Sequence, residues 1–240
     1  MKDIVSLVCS INPARESVIE VINELNKFSD VVLFTTGPHS LPVFSTQLYD
    51  PSIGRNLVYE PRRWILDNLD DQWQYALYNE DDILIPEESL NQALSLYEEL
   101  PRPFIPGFIR YEVDPRDNTD RYFDMNPLHA VHRNGDSTIK EKFSLYGVWE
   151  PWNLHTGNWL FHKKEIKSMI QKDQWESHYK EFGYSYGSCT QLESAASIPY
   201  LFYNKVFPYD FESVKCRHLD LKYIYFVDSN PTTKDLKSIL

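Results

Sequence analysis

The sequence predicts an α/β fold: a Rossmann-type βαβ sheet that mixes parallel and antiparallel pairing within a single domain. Three observations carry this expectation. A β-branched apolar run at residues 3–9 gives way to three- and four-residue periodicity, and a second apolar run follows at 31–34. Strand, helix, strand at that spacing makes a right-handed βαβ unit with parallel strands. Beyond residue 111 helical periodicity thins out, and short apolar segments suggest antiparallel pairing. At 240 residues with 42% hydrophobic side chains, the chain can build one sizeable α/β core.

In order along the chain, residues 3–9 form the first strand. Asn12 is the expected N-cap of a helix over 13–28, with Pro13 at its first position and Val18, Val21, Ile22 and Leu25 as its buried stripe. The second strand spans 31–34. Residues 38–56, rich in proline, read as an irregular excursion, and 57–59 as a short strand. A helix over 61–69 turns Trp64, Ile65 and Leu69 to one side. Residues 75–78 form a buried strand, and 86–100 a helix with Leu90, Ala93, Leu94 and Tyr97 inward. Residues 104–111 are extended. Further short strands are expected at 123–125, 130–132, 145–149 and 159–162, helices at 163–172 and 189–198, and a late strand at 223–227. Residues 1–111 read as a nucleotide-binding half and 112–240 as an acceptor-side half.

The stretch Tyr75-Ala-Leu-Tyr-Asn-Glu-Asp-Asp-Ile-Leu-Ile-Pro86 sets three adjacent carboxylates between apolar runs. Glu80, Asp81 and Asp82 fall where a strand leaves the sheet, the place where open α/β sheets bind ligands. Two carboxylates about 4 Å apart repel by roughly 1 kcal/mol in water and by several at a partly buried site. A shared divalent cation relieves that repulsion. The alternative is a solvated acidic turn.

Composition narrows the classes. Net charge is −11, from 24 basic and 35 acidic side chains, which disfavours nucleic acid as the main partner. Mean hydropathy is −0.46, and no apolar run approaches a membrane span. Three cysteines, Cys9, Cys189 and Cys216, are widely spaced without a CxxC pair, which fits a reducing compartment. The N-terminal residues enter a strand directly, so a cytoplasmic protein is expected. Aromatic residues make up 15% of the chain. Those in polar surroundings suit stacking on a base or a sugar, while structural aromatics give the same signature.

With these elements placed, the chain resembles a glycosyltransferase of the GT-A type, and Glu80-Asp81-Asp82 looks like a Glu-Asp-Asp form of that family's Asp-x-Asp motif. The resemblance implies a GT-A-like fold and Mn²⁺ or Mg²⁺ as cofactor. It also implies a nucleotide-sugar donor, most readily a uridine diphosphate sugar, and a glycan or other hydroxyl acceptor. It makes Asp82 the direct metal ligand, with Glu80 facing the ribose or the metal's water shell and Asp81 between them. Cys9, Ser10, Ile11 and Asn12 would lie beside the nucleobase, although Thr35 and Thr36 stand where such families often carry an acid. Arg62 and Arg63 are candidate bidentate donors to phosphate, or solvated helix charges. His218, in Cys216-Arg-His-Leu-Asp220, would complete the metal site.

Inverting transfer needs a carboxylate base, and Glu193, in a predicted helix, is the candidate. Trp152, His155, Gly157, Asn158 and Trp159 form a second constellation suited to binding sugar, with a glycine turn among core tryptophans as the alternative. Two alternatives differ in chemistry. A sugar nucleotidyltransferase would want a glycine-rich basic loop, which residues 10–15 lack. A non-catalytic carbohydrate-binding protein would use the 152–159 surface without metal or nucleotide.

Overall fold

The structure is a computed structural model that describes residues 2–122, 125, 139–151, 157–172, 174–175, 200, 202–221 and 230–240. Its strands are β1 (Ile4–Ser10), β2 (Asp30–Thr35), β3 (Ser45–Leu48), β4 (Tyr75–Glu80), β5 (Ile83–Leu84), β6 (Phe104–Pro106) and β7 (Ile109–Val113). They continue with β8 (Asp120–Arg121), β9 (Ile139–Phe143), β10 (Val148–Pro151), β11 (Asn158–His162), β12 (Asn204–Pro208) and β13 (Lys215–His218). The helices are α1 (Glu16–Leu25), α2 (Glu60–Asp67), α3 (Glu87–Glu99), α4 (Lys163–Gln171) and α5 (Thr233–Ile239). The expected α/β class with both parallel and antiparallel pairing is what the chain adopts.

Two units make up the chain. One comprises Met1–Asp81 and Gly157–Phe202, the other Asp82–Thr156 and Tyr203–Leu240. Residue 111, where the sequence suggested a change of character, lies within β7 of the second unit.

The first unit is built on the sheet β11-β4-β1-β2-β3, in which β1 pairs in parallel with β2 and β4 while β11 runs antiparallel to β4. All seven residues of β1 are buried, as expected for a central strand covered on both faces. Its polar residue Ser6 is satisfied locally. Ser6 and Ser29 hydroxyls lie 2.6 Å apart, and Ser29 donates in turn to the Leu25 carbonyl at 2.9 Å. Val18, Val21, Ile22 and Leu25 of α1 are fully buried, as their spacing predicts. Each such side chain contributes about 1.5–3 kcal/mol by leaving water.

The second unit holds two sheets, β6-β12-β10-β9 and β5-β13-β7-β8. Gly107 divides what the sequence suggested was one extended segment, so that β6 joins the first of these sheets and β7 the second. A Cβ at Gly107 would stand 2.7 Å from Cγ of Lys205, whose side chain is fully buried beside the Phe207 ring. Only glycine lets the backbone pass that close.

Several expectations need correction. Asn12 does not cap α1. Its carbonyl accepts from the Arg15 amide at 3.2 Å, closing a separate turn, and the helix begins at Glu16. Residues 57–59 are not a strand but the end of a 3-10 helix, Pro51–Tyr59, interrupted at Gly54 (φ 52°). Within the supposed irregular excursion, β3 pairs in parallel with β2. In α2 the buried positions include Arg62 and Ile65, while Trp64 is only half-buried; the helix ends at Asp67, so Leu69, also half-buried, lies beyond it. Residues 145–149 begin as a 3-10 turn, and Gly147, at φ 64°, turns the chain into β10. The segments expected at 130–132, 189–198 and 223–227 lie outside the described residues.

Candidate functional site

In the first unit, the ends of β1 and β4 carry several of the expected residues. Cys9 lies in register with Glu80. Its thiol is buried, reaching the Leu57 carbonyl at 3.5 Å. Burial, reinforced by the nearby Asp81, Glu60 and Glu80 carboxylates, pushes its pKa well up, which disfavours the thiolate that a nucleophile would need. Ser10 is buried, and its hydroxyl accepts from the Asn12 amide at 3.3 Å. Ile11 and Asn12 project outward, Ile11 with 65% of its surface exposed. Arg15 approaches the Asp81 carboxylate at 3.7 Å.

Glu80 ends β4, and its amide donates to the Gly157 carbonyl at 2.9 Å. Gly157 adopts φ 71°, in the region glycine favours, and so turns the chain into β11 at that point. Asn158 is fully buried and lies opposite Asn79, whose side-chain amide donates to the Glu80 carbonyl at 3.0 Å. Trp159, also fully buried, stacks on Tyr78 with centroids 5.7 Å apart and meets Trp175 edge-on at 5.8 Å. It is a core residue, not a platform open to a sugar.

The two arginines of α2 differ. Arg62 is buried, with its guanidinium 5.2 Å from the Trp175 ring centroid, and its carbonyl accepts from the Trp175 indole at 3.1 Å. Arg63 is exposed and pairs with Glu60 at 2.6 Å.

In the second unit, Asp82, His218 and Glu112 form a buried row. Ile83 pairs with His218 across the antiparallel β5–β13 ladder, and the Leu219 amide donates to the Asp82 carbonyl at 2.8 Å. These bonds bring Asp82 beside the end of β13 despite their separation in sequence. His218 Nε2 lies 3.5 Å from Asp82 Oδ2, and Nδ1 lies 2.7 Å from Glu112 Oε1. Exposure is 7% for Asp82, 2% for His218 and zero for Glu112. Burial is the largest influence on the His218 pKa and pulls it down. The Asp82 and Glu112 carboxylates outweigh burial and the opposing Arg110, raising the pKa from 6.5 to about 9.

The structure thus brings together the two residues that the sequence suggested as metal ligands. Two donors 3.5 Å apart lie within reach of one cation with bonds of about 2.1 Å. Glu112 faces the opposite ring nitrogen and cannot share that cation. Accordingly, no group of three or more His, Cys, Asp or Glu among the described residues is placed to hold an ion together. A carboxylate and an imidazole fit a site whose remaining ligands come from water and substrate phosphate, and the imidazole suits Mn²⁺ better than Mg²⁺.

Sequence reasoning missed Glu112. The available signal was Ile109-Arg-Tyr-Glu-Val113, where two charges recur at the two-residue period of one strand face. Trp152, His155 and Glu193 lie outside the described residues.

No protein-family model matches the chain, and no curated protein matches it. Among solved structures, the chain is similar to S. aureus TarS 1-349, at 16% identity and a TM-score of 0.47. That match covers 92% of this chain and 58% of the TarS chain, so this chain spans less than two thirds of its neighbour's length. It is also similar to A197 from STIV, at 12% identity and a TM-score of 0.36, covering 70% of this chain and 68% of that one. At such low identity and partial superposition, the reading of the site rests on this chain's own residues. Among the described residues, no helix is long and apolar enough to cross a membrane.

Proposed function

We propose that this chain is a metal-dependent glycosyltransferase of GT-A-like architecture, moving a sugar from a nucleotide donor, a uridine diphosphate sugar in the first instance, to a glycan or other hydroxyl acceptor. The observation that carries the reading is the buried approach of Asp82 to His218, directly after the strand-ending Glu80 and Asp81. A turn that was merely solvated would not bury Asp82 against a histidine recruited from β13.

In this reading Asp82 and His218 hold Mn²⁺ or Mg²⁺. The cation supplies electrostatic stabilisation of the charge that develops on the departing nucleoside diphosphate. Glu80 faces the ribose or the metal's water shell, with Asp81 between it and Asp82. The buried Cys9 and Ser10 form a wall beside the base, with Ile11 and Asn12 outward. Arg62, whose guanidinium lies against the Trp175 ring, and Arg63, which pairs with Glu60, are the proposed donors to phosphate. Glu193 is the proposed base that takes the acceptor hydroxyl's proton if transfer inverts the anomeric centre.

The non-catalytic carbohydrate-binding alternative is weakened by the burial of Trp159 and Asn158. Calorimetric titration with UDP, with and without Mn²⁺, tests the proposal. Binding should require the metal and fall at least about tenfold in Asp82→Ala, the scale of losing one metal ligand's surroundings. Equal binding by wild type and variant would remove the assignment. A second arm addresses the base: Glu193→Gln should leave UDP binding intact and lower turnover by about 10²–10⁴-fold.

A further inference from the structure

Glu112 lies outside the acidic turn and on the far side of the histidine from it. It sits on β7, which pairs in parallel with β13, with Arg217 in register with Tyr111. The alternation of β7 places Arg110 and Glu112 on one face, both buried. Glu112 Oε1 is 2.7 Å from His218 Nδ1, a short charge-assisted hydrogen bond in a fully enclosed setting.

The consequence follows from imidazole geometry. Rotation by half a turn about the Cβ–Cγ bond exchanges Nδ1 with Cδ2 and Nε2 with Cε1, and packing alone scarcely distinguishes the two ring positions. Only one of them puts a nitrogen toward Asp82. The alternative presents Cε1–H there and leaves the pair unable to share an ion. A carboxylate on Nδ1 selects the first position, because in the second it would face a carbon while buried and without that bond.

We propose that Glu112 is a positioning residue: from the neighbouring strand it fixes the flip of the His218 ring, so that Nε2 faces Asp82 and the two can take one divalent cation. This rests on the reading of Asp82 and His218 as the metal-holding pair, but it assigns a role to a residue that touches neither metal nor substrate.

The test uses the full chain as wild type, Glu112→Gln, Glu112→Asp and Asp82→Ala. Mn²⁺ binding in the presence of UDP is measured by electron paramagnetic resonance. In parallel, long-range proton–nitrogen correlation spectra of ¹⁵N-histidine protein are recorded without metal. Wild type should show a slowly exchanging, downfield Nδ1 proton on His218. Glu112→Gln should lose or shift it and bind Mn²⁺ about 10- to 100-fold more weakly, with Asp82→Ala weaker still.

If wild type binds Mn²⁺ and Asp82→Ala does not, while folded Glu112→Gln binds as wild type, the positioning role is overturned and the site reading survives. If wild type fails to bind Mn²⁺ with UDP, the site reading falls and this role falls with it. Should Glu112→Gln not fold, Glu112→Asp, which keeps the charge but withdraws it by one methylene, takes its place. A wild-type spectrum with His218 Nδ1 unprotonated overturns the proposal whatever the variants do.

Discussion

At the scale of single residues, the chain separates buried charges that support structure from those suited to chemistry. Asp114 belongs to the first kind. Its carboxylate accepts from Arg116 at 2.8 and 3.0 Å, with Arg121 3.4 Å away. Hydrogen bonds from Arg116 hold its pKa at about 2, below the ordinary 3.8. A carboxyl with a depressed folded-state pKa stabilises the fold above its unfolded pKa and loses that contribution as pH falls through the folded one. Its effect should therefore be complete above about pH 4 and decline toward pH 2. Urea denaturation of wild type and Asp114→Asn should differ most at pH 5 and converge at the acid end of that window. A gap that persists unchanged at pH 2 would rule out this linkage. Trp159 is the apolar counterpart, enclosed by Tyr78, Phe161 and Trp175. Trp159→Ala should cost about 3–5 kcal/mol in chemical denaturation, mostly through the cavity it leaves.

At the scale of elements, local rules made part of the fold legible. The stripe of α1, the central strands β1, β2 and β4, and the existence of α3 and α4 follow from periodicity and composition, although in α3 Leu96 is buried and the expected Leu94 only half-buried. The errors arose where local and distant determinants diverge. Leu57 and Val58 are buried, as an apolar run suggests, but they lie in the 3-10 turns that follow the break at Gly54 and lead into α2. Gly107 looked like a residue within one strand because its function, transferring the chain from β12's sheet to β13's, depends on partners about a hundred positions away. Its close approach to Lys205 gives an expectation. Gly107→Ala should destabilise by about 1–3 kcal/mol, since the new methyl would displace the near end of an enclosed side chain. Thermal melting that matched wild type would show that the strand junction yields freely.

The same logic explains the site. Asp82 stood out because three adjacent carboxylates sit between apolar runs, whereas His218 was expected only from the resemblance, and their adjacency came from the β5–β13 ladder. Glu112 did not stand out, because its meaning comes only from the register of β7 against β13. Likewise, Asn158 and Trp159 read as a sugar-binding surface until the pairing of β11 with β4 buried them.

At the scale of the whole molecule, the chain passes between its two units at 81/82, 156/157 and 202/203. A cut at 111 therefore cannot release an intact unit. A fragment of residues 1–111 retains β1 to β4 but lacks β11, the antiparallel neighbour of β4. It should show no cooperative melt by circular dichroism, whereas the full chain should. A cooperative fragment would mean that β11 is dispensable. Lys205 offers a different vantage. An amine sealed inside the native second unit is invisible to acylating reagents, so its modification in a mass-spectrometric footprint would time the moments when that unit breathes open.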